Sequence, residues 1–150
     1  MNAPAGPQVE LHLAPGVDLD QLKALGQAQY VREVVAAVWQ HADAALPAQL
    51  EVALMGEEEH CRVHERFLND PSPTDVMAFP YEDEELFGEV LINVDMARAQ
   101  AQDRGHAALW EATLYLVHGC LHLVGYDDQT EDERSRMRAA ETAVMEILRV

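Results

Sequence analysis

Basic residues are scarce in this chain: 10 lysines and arginines stand against 27 acids among 150 residues, a formal net charge of −17. That excludes loose, sequence-blind binding to nucleic acid or to an anionic membrane, both of which need a basic surface. It leaves room for a nucleic-acid enzyme with a local metal site. Cysteine is almost absent. Cys61 and Cys120 cannot form a secreted disulfide framework and read as two reduced thiols. No run of about 18 apolar residues exists, so no membrane span is expected. Residues 1–8 lack a basic and apolar signal pattern. These absences together point to a cytoplasmic protein.

What remains is one domain's worth of chain, residues 1–150, with 49% apolar residues to bury a core. Acids gather in three runs, 57–59, 82–85 and 131–133, each expected at a solvated helix start or loop. Alternation of Val9, Leu11 and Leu13 predicts a first strand, closed by Pro15-Gly16. A helix over about 19–44, broken near Gly26, carries a stripe of Val31, Val34, Val35 and Val38. Strands follow at 49–55, 76–79 and 88–94, the last two close enough to pair antiparallel. Between them, a helix over 57–68 is expected to turn Val63, Phe67 and Leu68 inward. Helices over 95–103 and 107–123 come next, the second with Trp110, Leu114, Val117 and Leu121 on one face. Gly125 fits the left-handed position that ends a helix. Thr130 and Glu133 form a capping-box pattern for a last helix that turns Met137, Val144, Ile147 and Leu148 inward. The expected class is α+β, a mixed four-stranded sheet with helices packed against it.

The stretch 118–128 carries the chemistry. His118 and His122 are four residues apart on one helix, so both imidazoles leave the same face about 6 Å apart along the axis. Two such nitrogens can bind one zinc ion at about 2.0–2.1 Å. The Gly125 turn lets Asp127 or Asp128 return to the same ion. Two histidines and a carboxylate leave a fourth position for water, whose pKa zinc lowers toward about 7. Zinc is the expected ion, although nickel or iron also takes such a set. A zinc peptidase would place glutamate directly after the first histidine; Gly119 and Cys120 stand there instead. Glu111, about 10 Å away along the helix axis, is too far to serve and reads as structural or surface. His60 and His64 share the four-residue spacing without a third ligand, and read as a surface pair.

Residues 118–128 resemble the signature of the YbeY family of bacterial endoribonucleases, His-Gly-x-Leu-His-Leu-x-Gly-Tyr-Asp-His, with ten of eleven positions met. Pro73-Thr74-Asp75-Val76-Met77-Ala78-Phe79-Pro80 is similar to its Pro-Thr-Asp-Val-Leu-Ser-Phe-Pro block, and residues 88–92 are similar to its Gly-Asp-Ile-x-Ile strand. The resemblance covers roughly residues 50–148. It implies a metal-dependent hydrolase of single-stranded RNA, acting in 16S rRNA 3′-end maturation and ribosome quality control. A metal-bound water would attack the phosphodiester, and one zinc ion per chain would be held by His118, His122 and Asp128. Its implied partners are rRNA and the small ribosomal subunit, with a ribosomal protein or an assembly GTPase. Two positions depart from the pattern. Asp128 stands where the family carries histidine, and Leu68 where it carries a cleft-lining arginine. Arg66 is the nearby candidate for that substrate contact, and Asp127 the candidate for orienting a histidine. Thr74 and Asp75 are expected at the cleft rim. The alternative function is a non-catalytic assembly factor, stabilised by zinc, that docks on the small subunit.

Overall fold

A computed structural model describes residues 8–47, 49–81 and 86–150. The acidic run 82–85 lies outside the described residues. The chain runs β1 (Val9–Leu13), a 3-10 turn (Lys23–Gly26), α1 (Ala28–His41), β2 (Leu50–Met55), α2 (Glu57–Leu68), β3 (Val76–Pro80), β4 (Gly88–Asn93), α3 (Val94–Arg104), α4 (Ala108–Leu123) and α5 (Glu131–Leu148). The four strands form one mixed sheet in the order β1-β2-β4-β3. β1, β2 and β4 are parallel, with Val52 beside both Leu11 and Val90, and β3 is antiparallel to β4. The α+β class is that expected from the pattern.

Alternation explains the two faces. Leu50, Val52, Leu54, Val90 and Ile92 point into the main core with α1, α4 and α5. Each such side chain contributes about 1.5–3 kcal/mol when fully buried. Ala53, Met55, Met77 and Leu91 line the opposite face under Val63 of α2. The valine stripe of α1 is buried as its spacing predicts. The 3-10 turn replaces the first part of the expected long helix, because Gln27 is extended and resets the chain direction.

Helix α2 departs from expectation. Its inward residues are His60 and His64, both buried, whereas Phe67 is 62% and Leu68 is 53% exposed. The physical reason is a demand for donors. The His60 Nε2–H donates to the Leu91 carbonyl at 2.9 Å, and the His64 Nδ1–H donates to the Ser72 carbonyl at 2.7 Å. The pair is a pair of structural pins rather than a surface feature. In α5, Ile147 is 56% exposed, so only part of its expected apolar face is buried. The capping box is present: Thr130 Oγ1 accepts the Glu133 N–H at 3.0 Å, and Glu133 accepts the Thr130 N–H at 2.9 Å. The acids of 57–59 and 131–133 occupy the first turns of α2 and α5, where the helix dipole favours them. Both cysteines are free, and Cys120 is buried. No helix among the described residues is long and apolar enough to cross a membrane.

Candidate metal centre

The site is built on α4, which lies against β3 and β4 with almost no space between. Gly119 makes this approach possible. A Cβ there would come within 2.7 Å of Val90 Cγ1 and 3.2 Å of Val76 Cγ2. Its neighbour His118 is thereby held at the floor of an open cleft of about 760 Å³, opposite Thr74, Asp75 and Phe79. One turn further, His122 lines the same cleft. The helix ends at Leu123 with Val124 as its cap, and Gly125 takes a φ of +112° that L side chains rarely adopt. The chain reverses there, and Asp128 returns over the helix.

The return brings three candidate ligands together. The Oδ2 of Asp128 lies 3.3 Å from His122 Nε2 and 3.6 Å from His118 Nε2. Ligand atoms of His118, His122 and Asp128 all fall within 4.8 Å of one another. Two atoms each about 2.0–2.1 Å from one tetrahedral zinc would sit roughly 3.3 Å apart. The two separations from Asp128 are therefore those of a site that needs little adjustment. Two borderline nitrogens and one hard oxygen are a donor set suited to a divalent ion. The site can hold one.

Asp127 lines the same cleft but is not one of the trio. Exposed, it accepts the Asp128 backbone N–H at 2.8 Å through Oδ1, and so shapes the turn. The carboxylate that meets the other ring nitrogen of His118 is Glu141 of α5. The His118 Nδ1–H donates to its Oε2 at 2.5 Å. Sequence reasoning missed Glu141, although one signal was available: Met137, Glu141, Val144 and Leu148 share one stripe, and a lone carboxylate interrupts an apolar face. Burial lowers the pKa of His118, but the Glu141 hydrogen bond and the charges of Glu141, Asp75 and Asp128 outweigh it, and the net shift is upward.

Arg66 is exposed, its guanidinium 5.7 Å from the Phe67 ring centroid, while Leu68 lines the cleft. The expected Arg66 contact is thus not placed in the cleft. Thr74 and Asp75 do line it. They are locked by buried Asn93, whose Nδ2–H donates to the Thr74 carbonyl at 3.1 Å and whose backbone N–H donates to the Asp75 carbonyl at 3.0 Å. Glu111 is fully buried beside Arg104 at 3.5 Å, a structural residue remote from the cluster. A second trio, Glu10, His12 and Glu51, gathers on the exposed face of β1 and β2. Among the described lining residues of the cleft there is no lysine or arginine.

An open cleft lined by two histidines and a carboxylate, on a mixed sheet, defines a protein with an accessible candidate metal centre. The chain belongs to the YbeY endoribonuclease family: the family model described as Endoribonuclease YbeY matches residues 18–149. Endoribonuclease YbeY of Acidothermus cellulolyticus is 32% identical over 153 residues, covering 91% of this chain and 88% of that protein. Endoribonuclease YbeY of Heliobacterium modesticaldum is 35% identical over 112 residues, covering 65% and 68%. The solution structure of a Thermotoga maritima protein shares the fold, with a TM-score of 0.61 at 20% identity over 95% of this chain and 92% of that one.

Proposed function

We propose that this chain is a single-strand-specific endoribonuclease that matures the 3′ end of 16S rRNA and serves ribosome quality control in the cytoplasm. It does so through one zinc ion held by His118, His122 and Asp128. The observation that carries this reading is the convergence of those three side chains at the cleft floor in a member of this family. The ion would supply Lewis acidity and an acidified water at the scissile phosphodiester. Structural zinc sites close with four protein ligands, whereas three gather here among the described residues, which favours the open position that hydrolysis needs.

The chain's own residues set the conditions. Gly119 and Gly125 set the helix and turn that aim the ligands. Asp75, Asp127 and Asp128 line the cleft and repel phosphates until a divalent cation balances them, so strand entry depends on metal loading. With no lysine or arginine among the described lining residues, the RNA is delivered by a partner, the small ribosomal subunit with its proteins or an assembly GTPase.

The test is cleavage of a single-stranded RNA oligomer by zinc-loaded protein. His118→Ala and Asp128→Ala should each lower the rate by about 10³-fold or more, because several kcal/mol of charge stabilisation depend on the ion. Loaded protein that leaves RNA intact overturns the nuclease reading. The missing cleft cation favours a second reading, a zinc-stabilised assembly factor that docks on the small subunit. Under that reading, a zinc-binding variant that cannot cleave would still support rRNA maturation in cells.

A further inference from the structure

We propose that Glu141 is the positioning residue of this centre: its carboxylate takes the Nδ1–H of His118, and so presents the Nε2 lone pair of a neutral imidazole to the ion. The inference rests on the metal-binding reading above. His118 stands between two carboxylates, one at each ring nitrogen. Glu141 Oε2 lies 2.5 Å from Nδ1, and Asp128 Oδ2 lies 3.6 Å from Nε2. A neutral imidazole carries one proton. With that proton drawn to Nδ1 by Glu141, only Nε2 can ligate, and it is Nε2 that faces Asp128.

The geometry marks this as a built contact. The Glu141 side chain is only 15% exposed, between Met137 and Val144 on the inward stripe of α5. Its helix is started by the capping box at Thr130, two residues after Asp128, so the turn that delivers a ligand leads into the helix that delivers its support. His122 is oriented differently: its described contact is through Nε2, to Asp128. The centre is therefore asymmetric, with His118 held from behind and His122 held from the front. Glu141 and Asp128 together supply two negative charges against a dication, so removing one changes the charge balance as well as the ring orientation.

The experiment is zinc titration against a chromophoric chelator, with nitrogen NMR of labelled histidine in the metal-free protein. Glu141→Ala should weaken zinc binding by about 10–100-fold and shift His118 from the Nδ1–H form to a mixture of tautomers. Glu141→Gln, which keeps a carbonyl acceptor, should retain the tautomer and recover part of the affinity. Glu146→Gln, exposed on the same helix, should match the parent. A folded Glu141→Ala protein with parental affinity and tautomer overturns the proposal. If Glu141→Ala does not fold, unchanged affinity in Glu141→Gln together with a His118 Nε2–H tautomer in the parent overturns it. A parent chain that binds no zinc overturns the metal reading and this inference with it.

Discussion

His60 has nowhere to put a second proton. Its Nε2–H is spent on the Leu91 carbonyl, and its Nδ1 is buried with no partner among the described residues. Burial accordingly lowers its pKa, against the upward pull of Leu91, Asp75 and Glu57, with His64 adding to the fall. The unfolded chain protonates this histidine near pH 6.5 while the folded chain resists. Between those two pKa values the unfolded state binds more protons, so stability falls as the pH drops below about 6.5 and is fully present above it. His60→Gln should flatten that slope in urea unfolding between pH 7 and 5. A parent and variant with parallel profiles would show that His60 does not titrate on unfolding. The sequence showed two histidines at helical spacing, and hydrophobicity assigned the inward face to Phe67 and Leu68 instead. The acceptors that decide the matter, the carbonyls of Leu91 and Ser72, are 31 and 8 residues away along the chain.

At the scale of the element, α4 is the part on which the site depends. Its approach to β3 and β4 is set by the missing side chain at Gly119. Gly119→Ala would gain about 0.5–1 kcal/mol in helix propensity. Against this, a carbon 2.7 Å from Val90 Cγ1 forces the helix or the valine to move, and overpacking of a core costs about 1–3 kcal/mol. The expected net result is destabilisation by roughly 1 kcal/mol, read as a lower urea midpoint with unchanged slope. Zinc affinity should fall with it, because His118 travels with the helix. Equal or higher stability would show that α4 can retreat freely. The helix, its histidine spacing and the Gly125 stop were all legible in the sequence. The use of Gly119 was not, because nothing local says which strand residues will face it.

Across the whole molecule, the charge of −17 and the cleft without lysine or arginine among its described lining residues point the same way. Affinity for single-stranded RNA changes with salt by about 0.7 in logarithmic slope for each phosphate neutralised. A cleft whose positive potential comes from one ion should neutralise about one phosphate. A non-cleavable 2′-O-methyl oligomer should therefore lose only about 3-fold in affinity between 50 and 200 mM salt. A slope several times steeper would reveal a basic path elsewhere on the surface.

The sequence alone determined the α+β class, the histidine spacing on α4, the capping box of α5, the Gly125 stop and the family, because each is written in local periodicity or in a contiguous motif. The tertiary structure decided which of the two adjacent aspartates meets the histidines, that Glu141 stands behind His118, and that Leu68 rather than Arg66 lines the cleft. Those choices turn on the rotation and depth at which α2, α4 and α5 pack against one sheet. A rotation of one helical residue, about 100°, sends a side chain from cleft to solvent without altering any local pattern.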